Sequence, residues 1–136
     1  MFAVRRQESI RILLIEEEIL VRAALSQLVT SFGFEIVGEA GSAQQAATEL
    51  SRIKPDVVLL SLNGSEHIDL KLARDVAAMC GRARLLILAS TMNESFQSEL
   101  AGVGANRIAL KNEDPKKLEK AIREIGKLRR RIRTSR

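Results

Sequence analysis

Apolar residues recur along this chain in two alternating rhythms, which together predict five strands and five helices. Ile10 to Ile15 is a near-continuous aliphatic run, the mark of a strand covered on both faces. Leu20, Val21, Ala24, Leu25, Leu28, Val29 and Phe32 then repeat at helical spacing. Gly33 is placed to end that helix in a left-handed conformation. Phe34 to Ala40 alternates more and suits a strand nearer an edge. Ser42 with Gln45 forms a capping-box pattern. It opens a second helix with Ala43, Ala46, Ala47, Leu50 and Ile53 inward, stopped by Pro55. Lys54 to Ser61 is a third strand, opened by Pro55-Asp56 and ending in a hydroxyl. A polar loop, Leu62 to His67, leads to a third helix with Leu72, Ala73, Val76, Ala77 and Cys80 inward. Arg84 to Ala89 is the fourth strand. Phe96, Leu100 and Val103 mark a short fourth helix, and Arg107 to Leu110 a short fifth strand. Asp114 as N-cap and Pro115 at the first helical position start the last helix. Its stripe of Leu118, Ala121, Ile122 and Ile125 is extended by Leu128 and Ile132, so the helix can run on past Gly126.

Strands alternating with helices at this spacing imply an α/β fold with a parallel sheet, right-handed crossovers and helices on both faces. In such a sheet the chemistry sits at the C-terminal ends of the strands. The residues there are the acidic run Glu16-Glu17-Glu18, Ser61, Ala89 with Ser90, and Lys111.

Composition narrows the class. The 136 residues, 46% of them hydrophobic, suffice for one domain with its own core, and with aromatics at 3% that core is aliphatic. The single Cys80 forms no internal disulfide, so a reducing, cytoplasmic setting is expected, with the thiol buried and inert. No apolar run approaches the roughly 20 residues of a membrane span. Met1 to Ser9, a polar N-terminal extension, lacks the apolar core of a signal peptide. The net charge of +5 is unevenly placed. Residues 127–136 hold six cations and no acid; subtracting six from +5 leaves −1 for everything before them. The organisation expected is an extension over 1–9, one domain over 10–126, and a basic tail or helix extension over 127–136.

Several stretches resemble, in order and spacing, the receiver domain of bacterial response regulators. Ile12-Leu13-Leu14-Ile15-Glu16-Glu17-Glu18 with Leu20-Val21-Arg22 is similar to that family's first strand, acidic pair and first helix. Val37-Gly38-Glu39-Ala40-Gly41-Ser42 is similar to its second strand and turn, Pro55 to Leu60 to its third strand, and Gly104-Ala105 with Leu110-Lys111 to its fifth strand and lysine. The resemblance covers residues 10 to 126 and implies the flavodoxin-like (βα)5 doubly wound sheet, strand order 2-1-3-4-5.

The resemblance also implies a set of functional positions, and here the chain departs. Ser61 stands where the family has the Asp that accepts a phosphoryl group. Glu16 and Glu17 supply the acidic pair, the second in place of the usual Asp; Glu is one methylene longer, and magnesium demands near-ideal octahedral geometry. Ala89 stands where a Thr or Ser reaches the phosphoryl group, with Ser90 one residue late, and Ile108 where a switch Tyr or Phe is usual. Lys111 alone matches. A serine nucleophile needs a base within reach, and the one histidine, His67, lies in the loop beyond Ser61.

The expectation is a degenerate receiver: a two-component signalling module, not an enzyme, with no phosphorylation, weak or absent Mg2+ binding and no other cofactor. Glu16 and Glu17 are expected to pair with Lys111, although acids at a helix start are also favoured by its dipole alone. The resemblance places protein partners, or a second copy, on the fourth helix, fifth strand and fifth helix. The alternative is a nucleic-acid-binding regulator, or a piece of one, acting through the basic tail. Six cations without interleaved aromatics suit only a non-specific phosphate contact, and a solvated end or a linker accounts for them as well.

Overall fold

The computed structural model describes residues 9–90 and 93–134, with side chains up to Lys127. Five strands alternate with five helices: β1 (Arg11–Ile15), α1 (Ile19–Ser31), β2 (Glu35–Ala40), α2 (Ala43–Leu50), β3 (Val57–Ser61), α3 (Glu66–Met79), β4 (Arg84–Ala89), α4 (Glu94–Ala101), β5 (Arg107–Leu110) and α5 (Pro115–Thr134). All strand pairs are parallel, in the order β2-β1-β3-β4-β5. This is the flavodoxin-like arrangement expected.

The aliphatic runs split by parity between two cores. Leu13, Ile15, Val58, Leu60, Leu85 and Ile87 face Ala46 of α2, Leu70, Ala73 and Val76 of α3, and Phe96 and Leu100 of α4. Ile12, Leu14, Val57, Leu59, Leu86 and Leu88 face Val29 of α1 and Leu118, Ala121, Ile122 and Ile125 of α5. Apolar side chains on both faces stabilise each central strand, at about 25 cal/mol per Å² removed from water. Edge strand β2 has only Ala40 buried, in keeping with its weaker apolar pattern.

Local signals act largely as expected. Ser42 Oγ accepts from the Gln45 N–H at 3.1 Å; Gln45 Oε1 reaches one residue further back than a capping box, to the Gly41 N–H at 2.7 Å. Gly33 follows α1 with φ +96°. Asp114 Oδ1 accepts from the Lys116 N–H at 2.9 Å ahead of α5. Two glycines answer to close packing. A Cβ on Gly38 would meet Glu49 Oε1 at 2.6 Å, beside the point where the β1–β2 register shifts; one on Gly126 would meet Ile10 Cδ1 at 2.6 Å.

Four expectations need correction. α2 ends at Leu50, with four residues between it and Pro55; Ala47, expected inward, is exposed, and Ile53 packs on the core from the turn. Leu62 is buried rather than part of a polar loop, and His67 lies in the first turn of α3. Leu20 is 84% exposed and Ala24 is exposed, so neither belongs to the face of α1 that packs on the sheet, which Val29 anchors. Leu70, not singled out by periodicity, is a core member of α3.

Candidate functional site

The C-terminal ends of β1, β3 and β5 bring Glu16, Ser61 and Lys111 together. Glu16 continues β1 by donating its N–H to Ala40 O at 2.9 Å, and its side chain is fully buried. Oε1 accepts from Ser61 Oγ at 2.5 Å and lies 3.6 Å from Lys111 Nζ. Oε2 accepts from the Glu18 N–H at 2.8 Å, which fixes the turn into α1. Lys111 follows β5, and its N–H donates to Ala89 O at 2.8 Å, so the strand pairing itself delivers the lysine.

The other positions stand apart from this cluster. Glu17 is exposed and accepts from Asn63 Nδ2 at 3.3 Å; among the described contacts it has no ion pair with Lys111. Ala89 is buried at the end of β4, and Ser90 Oγ turns to Leu62 O at 3.4 Å. Ile108 is half-buried against the core that holds Phe96 and Leu100. His67 is exposed.

One expectation about Ser61 changes. His67 is indeed no base for it, but the Glu16 carboxylate accepts a hydrogen bond from its hydroxyl. The hydroxyl is thereby tied down rather than freed, since Ser61 is 2% exposed and the same carboxylate faces the Lys111 ammonium.

Two buried acids escaped the sequence. Asp69, in the first turn of α3, accepts from the Gly64 N–H at 2.7 Å and the Asn63 N–H at 3.4 Å. It ties the loop before α3 back onto the helix, whose N-cap residue, Ser65, makes no side-chain cap bond. An acid just inside a helix that follows Asn-Gly-Ser was the available signal. Asp56 Oδ2 accepts from the Arg11 N–H at 2.9 Å, joining the starts of β3 and β1. The thiol of Cys80 donates to Val76 O, and burial raises its pKa to about 11. Among the described residues, no group of three or more His, Cys, Asp or Glu could hold a metal ion, and no helix is long and apolar enough to cross a membrane.

The family model for the response regulator receiver domain matches residues 12–123. Chemotaxis protein CheY of Thermotoga maritima is 20% identical over 117 residues, 86% of this chain and 98% of its own length. The nitrate/nitrite response regulator protein homolog of Haemophilus influenzae is 29% identical over 121 residues, 88% of this chain. The chain spans 58% of that protein and 54% of the DNA-binding transcriptional activator DevR/DosR of Mycobacterium tuberculosis. A two-component response regulator of the LuxR family from an Aurantimonas species has a TM-score of 0.75 at 26% identity, with 88% of this chain and 86% of that one covered. Receivers of this kind are signalling modules rather than enzymes. A match that runs from β1 into α5, on a sheet of the same strand order, means that this chain belongs to the response regulator receiver family of two-component signalling.

Proposed function

We propose that this receiver no longer takes up a phosphoryl group and signals from one resting conformation, through contacts with other proteins. The observation that carries the reading is the Ser61–Glu16 hydrogen bond: the acceptor position offers a buried neutral hydroxyl whose proton is already committed. Phosphotransfer to this position in the family needs a carboxylate in line with the donor. Lys111 pairs with Glu16 without any phosphoryl group, so its charge is answered in the resting state. Neither Ala89 nor Ile108 offers the hydroxyl or the aromatic ring by which a switching receiver would register a new charge.

The residues present do not fit magnesium well. Both oxygens of Glu16 are engaged, and Glu17 points to Asn63. An ion that keeps several waters and insists on octahedral ligands gains little from one exposed carboxylate. We therefore read the site as metal-free. Partners would meet the face of α4, β5 and α5, a second copy among them; residues 10–126 would form the receiver and 127 onward its helical extension. A cytoplasmic setting suits the free thiol of Cys80.

The test is amide NMR with beryllofluoride and magnesium, with intact-mass spectra after acetyl phosphate treatment. Unchanged shifts around Ser61 and an unchanged mass are expected. A stable added phosphoryl mass, or shifts at Ser61, Ala89 and Lys111, would overturn the reading.

A further inference from the structure

The parallel sheet places the first residues of all strands at one end of the molecule, opposite the Glu16–Ser61–Lys111 cluster. Arg11, Arg84 and Arg107 open β1, β4 and β5, and Lys54 precedes β3. α5 descends to the same end. Its Glu124 pairs with Arg107 at 2.8 Å, and its Gly126 packs on Ile10, just before β1. Residues 127–134 then carry the helix about 12 Å further, at 1.5 Å per residue. Lys127 and the four arginines at 129, 130, 131 and 133 lie on that extension. Cations scattered over most of the sequence thus share one end of the fold.

The acids at this end do not answer them. Glu49 pairs with Arg52, Glu124 with Arg107, and Asp56 is buried on the Arg11 N–H; Glu35 and Glu99 are exposed. Among the described residues, Lys54, Arg82, Arg84 and Lys127 have no carboxylate within 4.0 Å. Arg84 Nε is buried without a hydrogen-bond partner, on the wall of a cavity of about 450 Å³ shared with Arg82 and Asn106. Asn106 commits Oδ1 to the Leu85 N–H at 2.7 Å, which leaves its amide hydrogens. The polar side chains of this lining are therefore donors, and two of them carry permanent charge.

Helix C-termini also reach this end, and cations partly answer their dipoles. That effect amounts to roughly half a charge per helix. It does not concern a strand-opening residue such as Arg84. A protein partner fits the surface poorly, because protein interfaces have an apolar, charge-depleted centre. Among the described side chains, the exposed large apolar ones, Ile19, Leu20 and Ile68, are all at the opposite end. A single-stranded nucleic acid would need rings to stack on. Phe32 and Phe34 instead pack edge-to-face on each other at 6.2 Å, with Arg123 over Phe34.

We infer that the strand-start end and the extension of α5 together form a sequence-independent surface for the phosphate backbone of duplex nucleic acid, with one phosphate seated between Arg82 and Arg84. The inference is independent of whether Ser61 accepts a phosphoryl group. The full chain, titrated into a labelled random DNA duplex of about 20 base pairs, should raise its anisotropy at about 50 mM salt and bind at least about tenfold more weakly at about 200 mM. Lys54→Ala with Arg82→Ala, both exposed, should weaken binding about fivefold and lower the salt slope by about 1–2, with an unchanged circular dichroism spectrum. Truncation after Gly126 should weaken it further.

Four results would overturn the proposal. One is an absence of binding up to about 100 μM protein at low salt, well within the range of ordinary non-specific affinities. Another is a double variant equal to wild type while truncation abolishes binding, which would leave the tail as the whole site. Competition by polyglutamate as strong as by DNA would assign the surface to an acidic protein. Salt-sensitive self-association without DNA binding would assign it to a second copy.

Discussion

Ser61 Oγ donates to Glu16 Oε1 across 2.5 Å, joining the ends of β3 and β1 inside a pocket where both side chains are buried. A buried carboxylate is tolerated when its oxygens are paired and hydrogen-bonded. Here Oε1 meets the Ser61 hydroxyl and the Lys111 ammonium, and Oε2 meets the Glu18 N–H. The three side chains therefore form one unit, and removing any of them strands the others.

Lys111→Ala should lower stability by about 1–3 kcal/mol, because it leaves Glu16 buried with its charge unanswered. The lysine is itself about a quarter exposed, which places the cost in the lower part of that range. Lys71→Ala breaks only a surface pair with Asp75 and should change stability by less than about 0.5 kcal/mol. Urea midpoints compare the two. Equal midpoints for wild type and Lys111→Ala would show that the lysine is a bystander, and the one-conformation account would fall with it.

Substitution of Ser61 separates a lost hydrogen bond from added charge. Ser61→Ala should cost on the order of 1 kcal/mol, whereas Ser61→Asp sets a second carboxylate against Glu16 and should cost more. Magnesium should distinguish them further. It should raise the thermal midpoint of Ser61→Asp combined with Glu17→Asp and leave the wild type unchanged. A wild-type midpoint that rises with millimolar magnesium would contradict the metal-free reading.

The strands were legible in the sequence because burial on both faces removes polar residues from Ile12 to Ile15, Val57 to Leu60 and Leu85 to Leu88. Glu16, Ser61 and Lys111 were legible because a parallel sheet presents the residues that follow its strands at one end. Glu17 was not separable from Glu16 by residue type; only the backbone's exit from β1 sends one side chain inward and the other to Asn63. Asp69 and Asp56 were hidden because each serves a backbone N–H, from Gly64 or Arg11, that sequence pattern does not mark. The gathering of Lys54, Arg82 and Arg84 at the strand-start end is tertiary throughout and has no local signature.

Asp69 gives a test of the loop that follows Ser61. Asp69→Ala leaves the N–H groups of Asn63 and Gly64 without their acceptor and should cost about 1–3 kcal/mol. Asp69→Asn keeps an acceptor oxygen and should cost less. Amide exchange at Asn63 and Gly64 reports the same loss locally, and unchanged protection there in Asp69→Ala would count against this role.

Cys80 predicts a dependence on alkaline pH. Its pKa is pushed up from an ordinary 9.0 to about 11 in the fold, because burial disfavours the thiolate. The unfolded chain therefore releases this proton first. The contribution to stability is complete below pH 9 and is lost as pH rises from 9 towards 11. Cys80→Ala should flatten that part of the stability curve. Alkylation at pH 8 should be far slower in the folded protein than in denaturant; equal rates would show that the thiol is neither buried nor perturbed.

Gly126 and Ile10 test the seating of α5 at the strand-start end. In a free helix Gly126→Ala would be favourable by about 1 kcal/mol, because alanine is the better helix former. Here the added Cβ would lie 2.6 Å from Ile10 Cδ1 and 2.9 Å from Cγ2, so the helix or the isoleucine must move. Overpacking of this kind typically costs about 1–3 kcal/mol, enough to reverse the helical gain. Gly126→Ala should thus destabilise the protein, and Ile10→Ala in the same chain should recover part of the loss by opening space. A double-mutant cycle on denaturant midpoints reads the coupling directly. A stabilised Gly126→Ala with no coupling to Ile10 would mean that α5 does not descend against the start of β1, and its basic extension would then no longer share an end of the molecule with Lys54, Arg82 and Arg84.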